Sequence, residues 1–178
     1  ASRGLGDVYK RQKVDLEKAF AESCNAAFCS IGDGLNRNSW RKLCESFYYN
    51  KSIPLEKMEQ KSSRFTIDNK TAQGDVRQAS IGQGQTLVTP LQNILLVCAS
   101  VNGGELMQPY VVDRIEDANG NTVSENTPKS LGKKMSEKEA KAVKLLDTKL
   151  DKKVIKTLTI CTVIMLIAIL IHDGDHIR

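Results

Sequence analysis

Histidines, aromatic side chains and paired cysteines are scarce in this chain of 178 residues. The two histidines, His172 and His176, both lie near the C-terminal end, and the five cysteines, Cys24, Cys29, Cys44, Cys98 and Cys161, form no C-x-x-C pair. That inventory supplies no zinc ligand set, so no metal and no cofactor is implied. The odd number and wide spacing also speak against a disulfide framework, and the cysteines read as small core residues. Basic residues outnumber acidic ones only mildly, for a net charge of +5. Their one concentration, ten lysines from Lys129 to Lys156, has no aromatic residue interleaved with it. A stacking surface for single-stranded nucleic acid needs both, so nucleic acid is not an expected partner. A solvated helix face is expected instead. The glycine-bearing run Gly82-Gln83-Gly84-Gln85-Thr86-Leu87 fits neither the P-loop nor the dinucleotide-loop spacing. It reads as a backbone turn feeding the helix that follows. No internal repeat is visible.

The two ends differ in character from the middle. Residues 1–12, ASRGLGDVYKRQ, lack periodicity and a signal-like apolar core, and read as a non-native leader. Residues 151–178 form an apolar tail. Its uncharged run TLTICTVIMLIAILI, 157–171, is shorter than the roughly 20 apolar residues that span a bilayer. It is read as a membrane helix, with Lys152, Lys153 and Lys156 on the cytoplasmic side, or as a frameshifted or chimeric end. A buried core helix is the remaining reading.

Between these ends, 13–150 has a readable grammar. A helix is expected over 13–22 and a second after Ser23, with Ala27, Phe28, Ile31 and Leu35 on one face. A third spans about 39–48, capped by Asn38, with Trp40, Leu43, Cys44 and Phe47 on its face. Residues 50–80 read as polar and irregular. Thr89 is then a helix N-cap, Pro90 the first helical residue and Gln92 the partner in a capping box. Leu91, Ile94, Leu95 and Cys98 form the expected buried stripe of this helix, which is apolar nearly all round and so expected to be central. Asn102-Gly103-Gly104 stops it. Residues 107–125 read as a β-hairpin turning at Asn119-Gly120. Ser136 and Glu139 form a second capping box before a helix carrying Ala140, Val143, Leu146 and Leu150. The fold class is therefore α+β, mainly helical with one hairpin, plus a C-terminal apolar helix.

One short stretch, AFAESCNAAFCSIG at 19–32, sets a serine and an asparagine two positions apart among small apolar residues. On spacing alone, Ser23 is a helix cap and Asn25 an exposed first-turn residue. The neighbourhood resembles something more specific. AFAESCNAAF followed by IGDGL is similar to the segment around the second active-site motif, S-x-N, of penicillin-binding proteins, which also carry S-x-x-K and K-T-G. Downstream, ASIGQGQTLVTPLQNILLVCASVNGGELMQPYVVDRIEDANGNTV is similar to that family's stretch after S-x-N: an I-G-Q-G loop, a T-P-L-Q helix, a G-G turn and a hairpin. TAQ, at 71–73, stands close before it, with Gly74–Gln78 looking inserted. The resemblance runs from about Lys13 to Leu146.

It implies a partial serine DD-transpeptidase domain over 13–150. The implied reaction is acyl transfer: a serine attacks the D-Ala-D-Ala amide of a peptidoglycan stem peptide, D-alanine leaves, and an amine takes the acyl group. Ser23 would serve the proton relay to the leaving amine, and Asn25 would bind the substrate's amide backbone. Cys24 would point into the protein. On one continuous helix, positions two apart diverge by about 200°, so a connection between two helices is needed for both to face one cleft. The implied partners are stem peptides, β-lactams and the cell-wall synthesis machinery. The implied location is the extracytoplasmic face of a bacterial membrane.

The other two motifs are missing in the right order. Ser39 with Lys42 and Ser130 with Lys133 are the S-x-x-K matches, both after Ser23, and 13 serines and 18 lysines produce such pairs by chance. Lys70-Thr71-Ala72 is the nearest string to K-T-G, too early and without the glycine. The chain by itself is therefore expected to be inactive. Two further readings stand beside this one: a non-catalytic tail-anchored scaffold, in which Ser23 is only a cap, and a β-lactam-sensing domain of the same fold.

Overall fold

The computed structural model describes residues 15–55 and 58–148. The proposed leader, the segment 151–178 and its apolar run lie outside them. Among the described residues no helix is long and apolar enough to cross a membrane.

Helices α1 (Leu16–Ala21) and α2 (Asn25–Gly34) stand where two helices were expected, with Phe20 and Phe28 packed edge to face at 6.3 Å. Helix α3 runs from Arg37 to Ser46, two residues earlier than its spacing suggested. Its cap is Asn36, not Asn38, because the Asn36 carboxamide oxygen accepts the Ser39 N–H at 3.0 Å. The anticipated face holds: Trp40, Cys44 and Phe47 are buried. Phe65, from the following irregular segment, stacks on Trp40 at 5.0 Å and on Tyr49 at 6.4 Å.

Residues 50–80 are not irregular throughout. Gln73–Ser80 form helix α4, whose stripe Val76, Ala79 and Ser80 is buried. Helix α5 (Pro90–Val101) starts as expected, with Thr89 Oγ1 accepting the Gln92 N–H. Only half the capping box forms. The Thr89 N–H donates to Ser63 Oγ, and the Gln92 side chain donates instead to the Phe47 carbonyl at 2.6 Å. That bond draws Gln92 inward and sets which face of α5 is buried: Gln92, Leu95, Leu96, Ala99 and Ser100, while Ile94, Val97, Cys98 and Val101 are exposed. The expected stripe is thus corrected at Ile94 and Cys98.

The described residues form two small sheets rather than one hairpin. Strands β2 (Arg114–Glu116) and β3 (Thr122–Glu125) form the anticipated hairpin, with Gly120 at positive φ in its turn. Strand β1 (Glu105–Met107) pairs antiparallel with β4 (Ser130–Lys133). Gly104 makes the pairing possible: it has φ +91°, and a Cβ there would lie 2.0 Å from the Met135 carbonyl oxygen. Ser136 and Glu139 form the second capping box, opening α6 (Glu137–Thr148). Its Ala140 and Val143 join the core with Leu106, Met135 and the buried face of α5. The described lysines of the basic run are exposed apart from Lys134, whose ammonium lies 5.9 Å from the Tyr48 ring centre.

Candidate active site

Ser23 lies in the connection between α1 and α2, not in a helix. Its φ is +53°, a left-handed conformation that costs an L-residue about 1–2 kcal/mol. Helix α2 begins at Asn25 with Cys24 as its N-cap residue. Ser23 is therefore not the cap, and no described side chain caps α2. The Ser23 hydroxyl oxygen is buried and has no hydrogen-bond partner among the described residues. Two backbone bonds fix the connection: the Ser23 N–H to the Phe20 carbonyl at 3.0 Å and the Cys24 N–H to the Ala19 carbonyl at 2.8 Å. Asn25 is exposed, and Cys24 between the two is buried, as its expected inward orientation required. Serine and asparagine thus belong to different elements and escape the divergence a single helix would impose.

The other left-handed positions help to read this one. Asn50, at φ +60°, repays its conformation locally, exchanging two 3.0 Å hydrogen bonds with the Phe65 backbone. Ser23 takes its left-handed conformation as the residue that closes the C-terminus of α1, through the bonds to the Phe20 and Ala19 carbonyls. What that turn leaves without a described partner is its buried hydroxyl.

The remaining motif strings are used otherwise. The Thr71 hydroxyl donates to Asp68 Oδ1, and the Lys70 N–H donates to the same oxygen. The Lys70 N–H and the Thr71 hydroxyl together hold the Asp68 carboxyl below its usual range. Ser39 sits in the first turn of α3 with its N–H given to the cap. Ser130 donates to Glu105 at 2.6 Å from strand β4, where residues three apart face opposite ways. Gly82 and Gly84 both have positive φ, +75° and +81°, in the turn between α4 and α5. Burial pushes the Cys44 thiol far up, which removes it as a nucleophile. Among the described residues no three His, Cys, Asp or Glu side chains converge to hold a metal. A groove of about 530 Å3 opens beside the hairpin, lined by Met58, Gln108, Tyr110, Arg114 and Lys129 among others, and neither Ser23 nor Asn25 lines it.

Sequence reasoning missed the polar cluster between α2 and α4. Asp33 receives Arg77 at 2.7, 2.9 and 3.0 Å and is also bonded by Gln73. Arg37 reaches the Gln73 side chain and the Thr71 carbonyl, each at 2.6 Å. The Arg77 hydrogen bond, then that of Gln73, holds the Asp33 carboxyl below the usual carboxylate range. The signal available was the i, i+3, i+4 spacing of Val76, Ala79 and Ser80, which runs from an apparent insertion into the residues after it.

The model of the penicillin-binding protein transpeptidase domain matches residues 3–158. The chain belongs to the penicillin-binding transpeptidase family. It is 33% identical over 118 residues to peptidoglycan D,D-transpeptidase PbpA of Mycolicibacterium smegmatis, a match covering 65% of this chain and 23% of that protein. It is 29% identical over 125 residues to stage V sporulation protein D of Bacillus subtilis, covering 68% and 19%. Among solved structures, penicillin-binding protein A from M. tuberculosis as an imipenem acyl-enzyme complex superposes with a TM-score of 0.72 at 24% identity, covering 78% of this chain and 31% of that one. Its penicillin G acyl-enzyme complex gives 0.69 at 25%, covering 76% and 31%. This penicillin-binding family chain thus spans under a third of those relatives.

Proposed function

We propose that this chain is an internal part of a serine-type DD-transpeptidase that cross-links peptidoglycan, and that Ser23 and Asn25 are its S-x-N residues in the acyl-transfer site. The observation that carries this is the Ser23 hydroxyl: it is buried without a described partner and does not cap α2. In the reaction, a nucleophilic serine supplied by an S-x-x-K motif attacks the D-Ala-D-Ala carbonyl. The Ser23 hydroxyl relays a proton to the leaving D-alanine amine, and the Asn25 carboxamide hydrogen-bonds the stem peptide backbone and holds it in register. β-Lactams occupy the same place as acylating substrate mimics. The work is done outside the cytoplasmic membrane, alongside the wall-synthesis machinery.

These 178 residues hold neither S-x-x-K ahead of Ser23 nor K-T-G behind it, so the chain alone does not form an acyl-enzyme. The test is intact-protein and peptide mass spectrometry after incubation with penicillin G. No penicilloyl adduct is expected. An adduct on Ser39 or Ser130 would overturn the assignment of Ser23 and Asn25 to the site. The tail-anchored scaffold reading rests on the apolar run outside the described residues, and the family match favours the transpeptidase reading over it.

A further inference from the structure

Helix α2 is anchored at the end far from its S-x-N residues. Asp15, Asn36, Thr89 and Ser136 cap α1, α3, α5 and α6 through side chains, whereas α2, like α4, has no described side-chain cap, and α2 has no acidic residue in its first turn. At its C-terminal half the contacts multiply. The Cys29 thiol lies 3.6 Å from the Arg77 carbonyl oxygen. Gly32 crosses α4 so closely that a Cβ there would lie 1.7 Å from Ser80 Oγ and 2.7 Å from Ser80 Cβ. Asp33 is gripped by Arg77 Nε and Nη2 and by Gln73, and Gln73 is held in turn by Arg37 of α3.

We propose that Asp33 and Arg77 are positioning residues for Asn25: their ion pair, closing over the Gly32–Ser80 crossing, sets the pitch of α2 and so the place of its first residue. The proposal rests on the assignment of Asn25 to the substrate site. Asn25 and Asp33 are eight residues apart, about 12 Å along the helix axis. A 5° tilt about the clamp therefore moves Asn25 by about 1 Å, and a misplacement of that size costs on the order of 100-fold in rate. The pair is half exposed, with side chains 54% and 29% accessible, so it adds little to folding. Its geometry, a forked guanidinium on one carboxylate, fixes direction as well as adding local stability. Helix α4 leads directly into the Gly82–Gly84 turn, so the same clamp ties α2 to the segment that feeds α5.

The test uses the full 178-residue chain, isotope-labelled, with three readouts: the Asn25 carboxamide resonances, amide exchange in α2 against α3, and thermal midpoint. Arg77→Ala is expected to shift the Asn25 carboxamide and to speed exchange at Phe28 and Cys29 at least tenfold, leaving Trp40 and Cys44 unchanged. Asp33→Arg with Arg77→Asp is expected to restore both. Arg77→Lys, which keeps the charge but loses the fork, should fall between and serves if Arg77→Ala does not fold. Unmoved Asn25 resonances, or exchange rising equally in α2 and α3, would overturn the proposal. Failure of the substrate assignment shows separately: Ser23→Ala and Asn25→Ala would leave acylation unchanged in a transpeptidase that carries this stretch, whatever the clamp variants do.

Discussion

The Gln92 carboxamide donates to the Phe47 carbonyl oxygen at 2.6 Å in the core, with Gln92 fully buried. This bond joins the end of α3 to the first turn of α5 and decides which face of an almost wholly apolar helix turns inward. Gln92→Leu leaves the carbonyl without that partner, and the expected cost is about 1–3 kcal/mol in urea-induced unfolding. A change below 0.5 kcal/mol would mean that packing alone orients α5.

Ser23→Gly separates the two readings of the opening motif. Glycine adopts φ +53° without strain and removes a buried hydroxyl that has no described partner. The expected outcome is a chain more stable by about 1 kcal/mol. Glycine is favoured at this position closing α1 whatever the serine does, so the gain excludes a capping serine and leaves its chemistry to the acylation test. A loss of about 1 kcal/mol, as for a removed helix cap, would instead favour a structural serine.

Gly32→Ala tests the α2–α4 crossing. The new Cβ meets Ser80 Oγ and Cβ inside contact distance, so a loss of about 1–3 kcal/mol is expected. Adding Ser80→Ala removes only the oxygen and leaves the 2.7 Å approach to Cβ, so the double variant should recover part of the loss. Full recovery would place the strain in the hydroxyl alone.

Acid should loosen the same crossing. The Arg77 and Gln73 hydrogen bonds hold the Asp33 carboxyl below its ordinary value. A carboxyl with a lowered folded pKa contributes stability that is present above its unfolded pKa, about 3.9. That contribution is lost as pH falls through the folded value. Asp68 and Asp117 share the direction, through hydrogen bonds from the Lys70 backbone and the Asn121 side chain respectively. Amide exchange in α2 should therefore quicken below about pH 4, and Asp33→Asn should remove that step while leaving the acid response around Asp117. An unchanged α2 profile in Asp33→Asn would contradict it.

Much of this was legible in the residues because local chemistry fixed it. Thr89-Pro90, Asn119-Gly120 and Ser136 with Glu139 each specify a backbone conformation through atoms within four residues, and each stands where expected. What escaped depends on distant partners. Gln92 left its capping box because Ser63, 26 residues before Thr89, took the Thr89 N–H, and Phe47 offered a buried carbonyl. A helix apolar all round carries no period to choose a face, so the sequence alone points Ile94 and Cys98 inward. Helix α4 was missed because its stripe is short and contains a serine, and only the close approach to Gly32 explains why that serine is buried. Ser23 and Asn25 are proposed from likeness of the surrounding stretch. The left-handed turn that separates them was visible only in three dimensions.

The most direct test is the rate of penicillin G acylation in a transpeptidase that carries this stretch in frame between S-x-x-K and K-T-G, compared with its Ser23→Ala and Asn25→Ala variants. Acylation should fall on the order of 100-fold or more in each, with thermal midpoints within a few degrees of the parent. Acylation that is unchanged, or that falls only as far as the folded fraction does, would contradict the assignment of Ser23 and Asn25 to the acyl-transfer site.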